Sequence, residues 1–317
     1  MMNQGLQRGV TRFVLALAVA VAAIGVPQAP VQAQTQTQTQ TQTQTQHASG
    51  AALLAHHGEL RAKLADNAFQ RPLHLASIQN AGNQQGDVYA VVEHPFADVS
   101  QSLQVTHNWC DLLILHLNVK HCKATGVSPA SVLSVSVGKK FDQPLPETYQ
   151  VNFNYRVAAA RPDFMQVTLA AENGPLGTHN YRIMFEAVPL DAGRSFIHMS
   201  YSYSYGMAAR MAMQAYLSTI GSGKVGFTVT GRTPSGQPQY VDGVRGVVER
   251  NTMRYYLAIE AFLDSAGKPA SEQMERRLRD WFAATERYPR QLRELEQGEY
   301  IDMKRKEVQR QQVAARQ

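Results

Sequence analysis

The sequence predicts an α+β fold in which a curved antiparallel sheet grips a long C-terminal helix, with a charged helical extension behind it. Two observations predict it. Between Tyr149 and Tyr205, apolar and polar residues alternate, which is typical of antiparallel strands with one covered face. Residues 242–264 then repeat apolar residues at helical spacing, which indicates a single long helix.

The first residues have the pattern of a secretory signal peptide. Arg8 and Arg12 precede the apolar run Phe13–Val26, and Val31 and Ala33 place small side chains at the two positions that signal peptidase reads. The run has about fourteen residues, fewer than the roughly twenty that a membrane-spanning helix needs. We therefore expect residues 1–33 to be removed, and the mature protein to be periplasmic or secreted with no stable membrane insertion.

Composition divides the rest of the chain into four parts. Residues 34–49 are mostly a strict Gln-Thr alternation with no apolar residues to bury, which predicts a disordered spacer. Residues 50–85 begin with helically spaced leucines and predict a leader helix and a linker. Residues 86–265 have the size of one domain. Residues 266–317 are rich in charges of both signs and predict a helical extension with a frayed basic tail after Lys304.

The strands of the predicted sheet share one apolar face that is rich in tyrosine. Period-two alternation in four segments places on that face Tyr149, Tyr155, Tyr181, Tyr201, Tyr203 and Tyr205. The opposite face carries polar residues, among them His198 and the serines that follow it. We expect one side of the sheet to be covered and the other to face water.

Helical patterns lie on both sides of these strands. Residues 98–117 predict one helix with an apolar stripe, started by a capping box of Asp98 and Gln101. After the strands, residues 206–218 predict a short helix and residues 224–232 predict a further strand.

The order of these elements resembles the START-like superfamily, also called Bet v 1-like or SRPBCC. The resemblance lies in GDVYAVVEHPFADV, in the helix containing NWCDLLILHLNVK, in the hairpins from Tyr149 to Tyr205 and in the helix from Val244. It implies a helix-grip fold, with an internal cavity that usually holds lipids, sterols, polyketides or other apolar small molecules. The chain departs from the family pattern because a helix and a strand come between Met207 and Gly231.

Cys110 and Cys122 are the only cysteines. In an oxidising compartment we expect them to form a disulfide, because a strand after the helix would return the chain to Cys110. A Cys–His nucleophile with His107 is the less favoured alternative, as is a metal site with His116 and His121, whose spacing matches no familiar ligand set. The role of the three histidines stays open.

The tyrosine face predicts a ligand site. Its rings would give a cavity wall an apolar body and its hydroxyls would fix a polar end, although the same rings could simply fill a core. The residues expected to contact a ligand are Tyr155, Tyr181, Tyr201, Tyr203, Tyr205, Arg210, Asn251 and Tyr255. No pair of carboxylates indicates an acid and base, and GSGKVG at 221–226 lacks the full phosphate-loop pattern, so no cofactor is expected.

The favoured function is therefore an exported protein that binds an apolar or amphipathic, lipid-like small molecule. A net charge of +6, or about +4 without the signal, gives no concentrated basic patch, which argues against nucleic acid as a partner. Two alternatives stay open. One is a cyclase- or hydrolase-type enzyme on the same scaffold. The other is a non-catalytic envelope protein that meets a protein partner through residues 268–317.

Overall fold

The computed structural model describes residues 46–80, 82–127, 131–218 and 223–315. The predicted signal peptide and most of the predicted spacer lie outside the described residues. Within the described ranges, no helix has both the length and the apolar character needed to cross a bilayer.

Eight antiparallel strands form one sheet, and their order is β1-β2-β8-β7-β6-β5-β4-β3. The period-two alternation therefore does form hairpins, as predicted. The strands are β1 (Leu73–Asn80), β2 (Asn83–Val92), β3 (Val119–Thr125), β4 (Ser131–Val137), β5 (Tyr149–Arg161), β6 (Phe164–Asn173), β7 (Thr178–Pro189) and β8 (Ser195–Tyr205).

The helices pack on both faces of this sheet. They are α1 (Gly50–Ala65), α2 (Phe96–Leu103), α3 (Thr106–Leu113), α4 (Met207–Ser218), α5 (Gly243–Ser265), α6 (Ala270–Glu286), α7 (Pro289–Leu292) and α8 (Gln297–Ala315). The long helix α5 contacts β1, β2 and β8. It comes so close at Gly86 that a Cβ there would collide with Thr252. The predicted α+β helix-grip architecture is confirmed.

The linker predicted within residues 50–85 contains a strand that the sequence analysis missed. Leu73 and Leu75 alternate with half-buried residues and are buried on the same face as Val88, with which Leu75 is paired. β1 therefore adds an edge strand to the sheet beside β2. The segment is short and one-sided, which made its period-two pattern weak.

The helix predicted over residues 98–117 is two helices. The chain is extended at Val105, and the carbonyls of Ser102 and Leu103 accept from the Asn108 side chain (2.7 Å) and the Trp109 indole (2.8 Å). These side chains satisfy carbonyls that the next helical turn would otherwise have bonded, so the helix ends there without an unpaired group. The predicted capping box is also wrong, because α2 begins at Phe96 after Pro95 and has no side-chain cap.

The face of the sheet opposite α5, called here the outer face, is not open to water along β8. α1 packs Leu53, Leu60 and Leu64 against Phe164 and Phe196, and all five side chains are buried. Burial continues along β8 from its first residue to the ninth. The expectation of a wet outer face holds for β5, whose alternate residues are exposed, but it is wrong for β8.

The segment after α4 forms less strand than predicted from residues 224–232. Only Val229–Arg232 is extended, as β9, and it pairs with β10 (Pro238–Tyr240) in a separate two-stranded sheet. The strand that departs from the family pattern is therefore part of a small hairpin, which lies outside the eight-stranded sheet.

The charged C-terminal segment joins the main core. Trp281 and Tyr300 are buried with ring centroids 5.0 Å apart. Glu307 lies between two fully buried lysines, with Oε1 3.0 Å from Lys120 Nζ and Oε2 2.7 Å from Lys304 Nζ. α8 continues to Ala315, so the frayed tail predicted after Lys304 is wrong. The apolar residues of the segment are used inside the molecule, which leaves its charged surface for any partner.

Cys110 on α3 and Cys122 on β3 are joined as a disulfide, with their Cα atoms 5.2 Å apart. The bond spans the turn between α3 and β3 and confirms the predicted framework role of the pair. Neither cysteine offers a thiol for catalysis or for a metal.

We expect the unreduced, unfolded protein to contain no titratable thiol. Replacing both cysteines by serine should lower the free energy of unfolding by about 3 kcal/mol, because the bond closes a loop of about thirteen residues. Thiol titration in denaturant and urea unfolding of both proteins measure this. Two free thiols in the unreduced protein would contradict it.

We expect Glu307→Gln to destabilise the fold by about 3–5 kcal/mol, because it leaves two buried ammonium groups without their shared carboxylate. Asp302→Asn makes the same chemical change on the same helix at a side chain that is 73% exposed, and should cost at most about 0.5 kcal/mol. Urea unfolding compares the two. Equal, small effects would show that α8 contributes little to the core.

Candidate functional site

A row of tyrosine rings lines the inner face of the sheet under α5. We call these residues the tyrosine row: Tyr181, Tyr201, Tyr203, Tyr205 and Tyr255. Along β8, successive ring centroids lie 5.7 Å and 6.3 Å apart. The ring of Tyr181 on β7 stacks on Tyr203 at 5.4 Å, and Tyr255 on α5 approaches Tyr201 at 5.3 Å. The row follows from period-two alternation on β8, which sends every second side chain to the same face.

His116 closes one end of the row. It lies in the turn after α3, and its ring stacks on Tyr255 at 4.8 Å. Nδ1 accepts a hydrogen bond from the backbone amide of Asn118 at 3.1 Å, so the neutral ring carries its proton on Nε2. Burial, with the nearby charges of Arg254 and Lys304, holds the pKa of His116 well below its usual value. The Nε2–H group is buried and has no hydrogen-bond partner among the described residues.

Gln84 closes the other end. Its register partner on β8 is Tyr203, and its Nε2 donates to the Tyr205 hydroxyl at 3.1 Å. The side chain is buried, yet Oε1 accepts from no group in the described part of the chain. The row therefore ends in an unpartnered donor on one side and an unpartnered acceptor on the other.

The hydroxyls of Tyr203 and Tyr255, within the row, make no hydrogen bond to another described residue, but neither hydroxyl is fully buried. Burial raises the pKa of both tyrosines, so both hydroxyls stay protonated. Most buried polar groups in proteins are hydrogen-bonded, and buried tyrosine hydroxyls usually find a partner. The buried, unpartnered atoms of the row are therefore the two at its ends, on His116 and Gln84.

The surface of α5 that faces the row is not fully buried. Asn251 and Tyr255 are only half-buried, although Thr252, Arg254 and Tyr256 beside them are buried. Asn251 also comes close enough to His116 and to the Tyr201 hydroxyl to affect their pKa values, without a hydrogen bond of normal geometry to His116. We call the partly exposed region between this side of α5 and the tyrosine row the crevice.

Six of the eight residues predicted to contact a ligand meet at this crevice, and two lie elsewhere. The Tyr155 hydroxyl donates to the Leu103 carbonyl at 3.1 Å, so this tyrosine fixes α2 to the sheet. Arg210 is exposed on α4. Sequence reasoning missed two members of the site: Gln84 fell in a predicted linker, and His116 was weighed only as a partner of the cysteines.

The histidines of the cysteine segment do not meet at one site. The side chain of His107 is 66% exposed, with Nε2 4.0 Å from Asp111. His121 is half-buried on β3, and burial lowers its pKa. Only His116 lies at the crevice. Three other ligand-type residues, His47, Glu186 and His198, meet on the outer face of the sheet.

A second cleft of about 710 Å³ lies at the C-terminal end of α5. Four of its titratable residues are already paired, since Arg71 bonds Glu260 and His94 lies 2.8 Å from Asp264. No unpartnered buried polar atom of the described chain lines it. The crevice on the tyrosine row is therefore the better candidate site, because buried unpartnered atoms lie at its two ends.

Comparisons with known proteins give matches to structures only. No family model and no curated protein matches the chain. Norcoclaurine synthase from Thalictrum flavum, in complex with dopamine and hydroxybenzaldehyde, matches with 12% identity over 46% of this chain and 82% of its own, at a TM-score of 0.32. The Zhui aromatase/cyclase from Streptomyces sp. R1128 matches with 13% identity over 46% and 86%, at 0.31. Ara h 8.0201 matches with 13% identity over 58% and 99%, at 0.34.

We expect Tyr255→Phe to leave the free energy of unfolding of the ligand-free protein unchanged or slightly higher, because the lost hydroxyl bonds no other described residue. Tyr300→Phe is the matched control, since its hydroxyl donates to the Leu115 carbonyl at 2.9 Å, and it should cost about 1–2 kcal/mol. Urea unfolding measures both. A larger loss for Tyr255→Phe than for Tyr300→Phe would show that the Tyr255 hydroxyl serves the fold.

Proposed function

We propose that this protein is exported and binds an amphipathic small molecule in the crevice between α5 and the tyrosine row. The observation that supports this most is the set of buried polar groups along the row that lack partners. A ligand with an apolar body and a polar end would cover the rings and supply the missing hydrogen bonds.

The chemistry of the row limits the ligand. The His116 end offers a donor, so it favours a carbonyl, hydroxyl or carboxylate oxygen. The Gln84 end offers an acceptor, so it favours a hydroxyl or amine hydrogen. The rings between them favour an apolar, planar or chain-like body. A lipid-like or polycyclic molecule with oxygens at separated positions meets these demands.

Binding is favoured over catalysis by the state of His116. A general base needs a free ring nitrogen that faces the substrate. Here Nδ1 already accepts from the Asn118 amide, so the nitrogen left without a partner carries the proton and donates. A cyclase or hydrolase on this scaffold stays an alternative, and it would require the Asn118 hydrogen bond to break.

Export is supported by two independent features. The N-terminal sequence has the pattern of a signal peptide. Disulfides persist in oxidising compartments, and the two cysteines of this chain form a disulfide with each other. A role through a protein partner at residues 268–317 is less favoured, because most apolar side chains of that segment pack in the core, although Val313 is exposed.

Filling the crevice should abolish binding. In Asn251→Trp, an indole replaces a half-buried amide that faces the row, and we expect the dissociation constant for 8-anilinonaphthalene-1-sulfonate to rise at least about tenfold. This probe has an apolar ring system and an anionic end. Met211→Trp adds the same ring at an exposed position on α4 and should leave probe affinity unchanged.

Tyr255→Phe should lower the affinity for the same probe by about three- to tenfold, because one hydrogen bond to the probe is lost. Far-ultraviolet circular dichroism and urea unfolding check that each variant is folded. Absence of saturable probe binding by the wild-type protein, together with only the ligand-free mass in native mass spectrometry of protein from its producing cells, would contradict the proposal.

A further inference from the structure

The outer face of the sheet contains a cluster of histidines and carboxylates that the proposed ligand site does not use. Its members are Asp87 on β2, Gln166 on β6, Glu186 on β7, His198 on β8, and His47 just before α1. Direct pairing across the strands brings them together, since Glu186 is the register partner of both Gln166 and His198. His47 belongs to the four described residues of the predicted spacer, and it packs on the sheet.

Two ring nitrogens converge on one carboxylate oxygen. Glu186 Oε2 lies 2.8 Å from His47 Nδ1 and 2.9 Å from His198 Nδ1. All three ligand atoms lie within 4.8 Å of one another. In a tetrahedral zinc site such atoms are about 3.3 Å apart, so shifts of an ångström or so would admit an ion between them.

Neighbouring groups orient these ligands as a metal site requires. His198 Nε2 lies 2.9 Å from Asp87 Oδ1, and Asp87 Oδ2 accepts from Gln85 at 2.9 Å. Metal-binding histidines almost always donate their second ring nitrogen to a carboxylate or a carbonyl in this way. The arrangement directs Nδ1 of His198 toward Glu186 Oε2, 2.9 Å away.

The hydrogen bonds of the Glu186 carboxylate leave one of its oxygens in position to bind a metal ion. Its Oε1 accepts from the Gln166 side chain at 2.6 Å and from the His47 backbone amide at 3.0 Å. Oε2 contacts only the two imidazole nitrogens among the described residues. One oxygen is therefore held by hydrogen bonds, and the other is left for a cation.

From this geometry we infer that His47, His198 and Glu186 bind one divalent transition-metal ion of the zinc class. Two imidazoles and a carboxylate are donors that zinc accepts, and three protein ligands leave a fourth position for water. The ion would replace protons that now lie between the histidines and Glu186. Metal binding would thus join the residue in front of α1 to β7 and β8.

The competing interpretation is a hydrogen-bonded ion cluster in which the histidines keep their protons. His198 stacks on Tyr89 with ring centroids 4.2 Å apart, which suits a charged imidazole as well as a neutral one. The two interpretations differ in whether purified protein takes up zinc with a defined stoichiometry.

The test uses His47→Ala, because His47 lies before α1 and outside every helix and strand, so the fold should survive its loss. Purified, chelator-treated protein is titrated with zinc chloride by calorimetry, and bound zinc is counted by mass spectrometry after gel filtration. We expect one zinc per wild-type chain, and an affinity at least about 100-fold lower in His47→Ala. His107→Ala removes an exposed histidine and should bind like wild type.

Asp87→Asn provides a second variant that keeps all three ligands, and it should weaken zinc binding about 10- to 100-fold. Visible absorption of the cobalt-substituted protein reports on the same site without depending on stability. Equal zinc stoichiometry and affinity in wild type and His47→Ala, or no zinc bound by folded wild type, would overturn the inference and leave a proton-bound ion cluster.

Discussion

The central constraint is that β8 is covered on both faces, by α5 on one side and by α1 on the other. A strand buried on both sides leaves no water for its polar side chains, so each of them needs a partner inside the molecule. On the outer face His198 is satisfied by Asp87 and Glu186. The hydroxyls of Ser200 and Ser202 beside it have no partner in the described chain. Unpartnered buried groups therefore occur on both faces, but the members of the outer histidine–carboxylate cluster are paired with one another, whereas the tyrosine row ends in unpartnered atoms.

The C-terminal segment also supports the inner site, although it lies far from it in sequence. Lys304 Nζ donates to the carbonyls of His116 and Val119 at 2.7 Å and 2.9 Å, and the Tyr300 hydroxyl donates to that of Leu115. The disulfide closes the same turn from its other side. His116 therefore sits on backbone that α8 holds in place. Burial lowers the pKa of Lys304 to about 8, while Glu307 counteracts the shift, so the support depends on that ion pair.

The sequence predicted those parts of the fold whose signals are local and periodic. Alternation along β8 placed Tyr201, Tyr203 and Tyr205 on one face, and helical spacing located α5. The break at Val105 was not predictable, because it depends on the side chains of Asn108 and Trp109 reaching back to carbonyls. Sequence spacing likewise gave no signal for the outer cluster, whose members are brought together only by strand register and by the packing of α1.

The two sites also differ in how complete they are without a further molecule. The outer cluster satisfies its own charges: hydrogen bonds from His198 and His47 hold the pKa of Glu186 at about 2 despite its burial, so protons alone can stabilise it. In the tyrosine row, the described residues do not satisfy the unpartnered groups in this way. Its unpartnered donor and acceptor lie at opposite ends of the row, and neutral rings separate them, so the two groups cannot satisfy each other. Since no described residue supplies these two hydrogen bonds, they are left to water or to the proposed ligand.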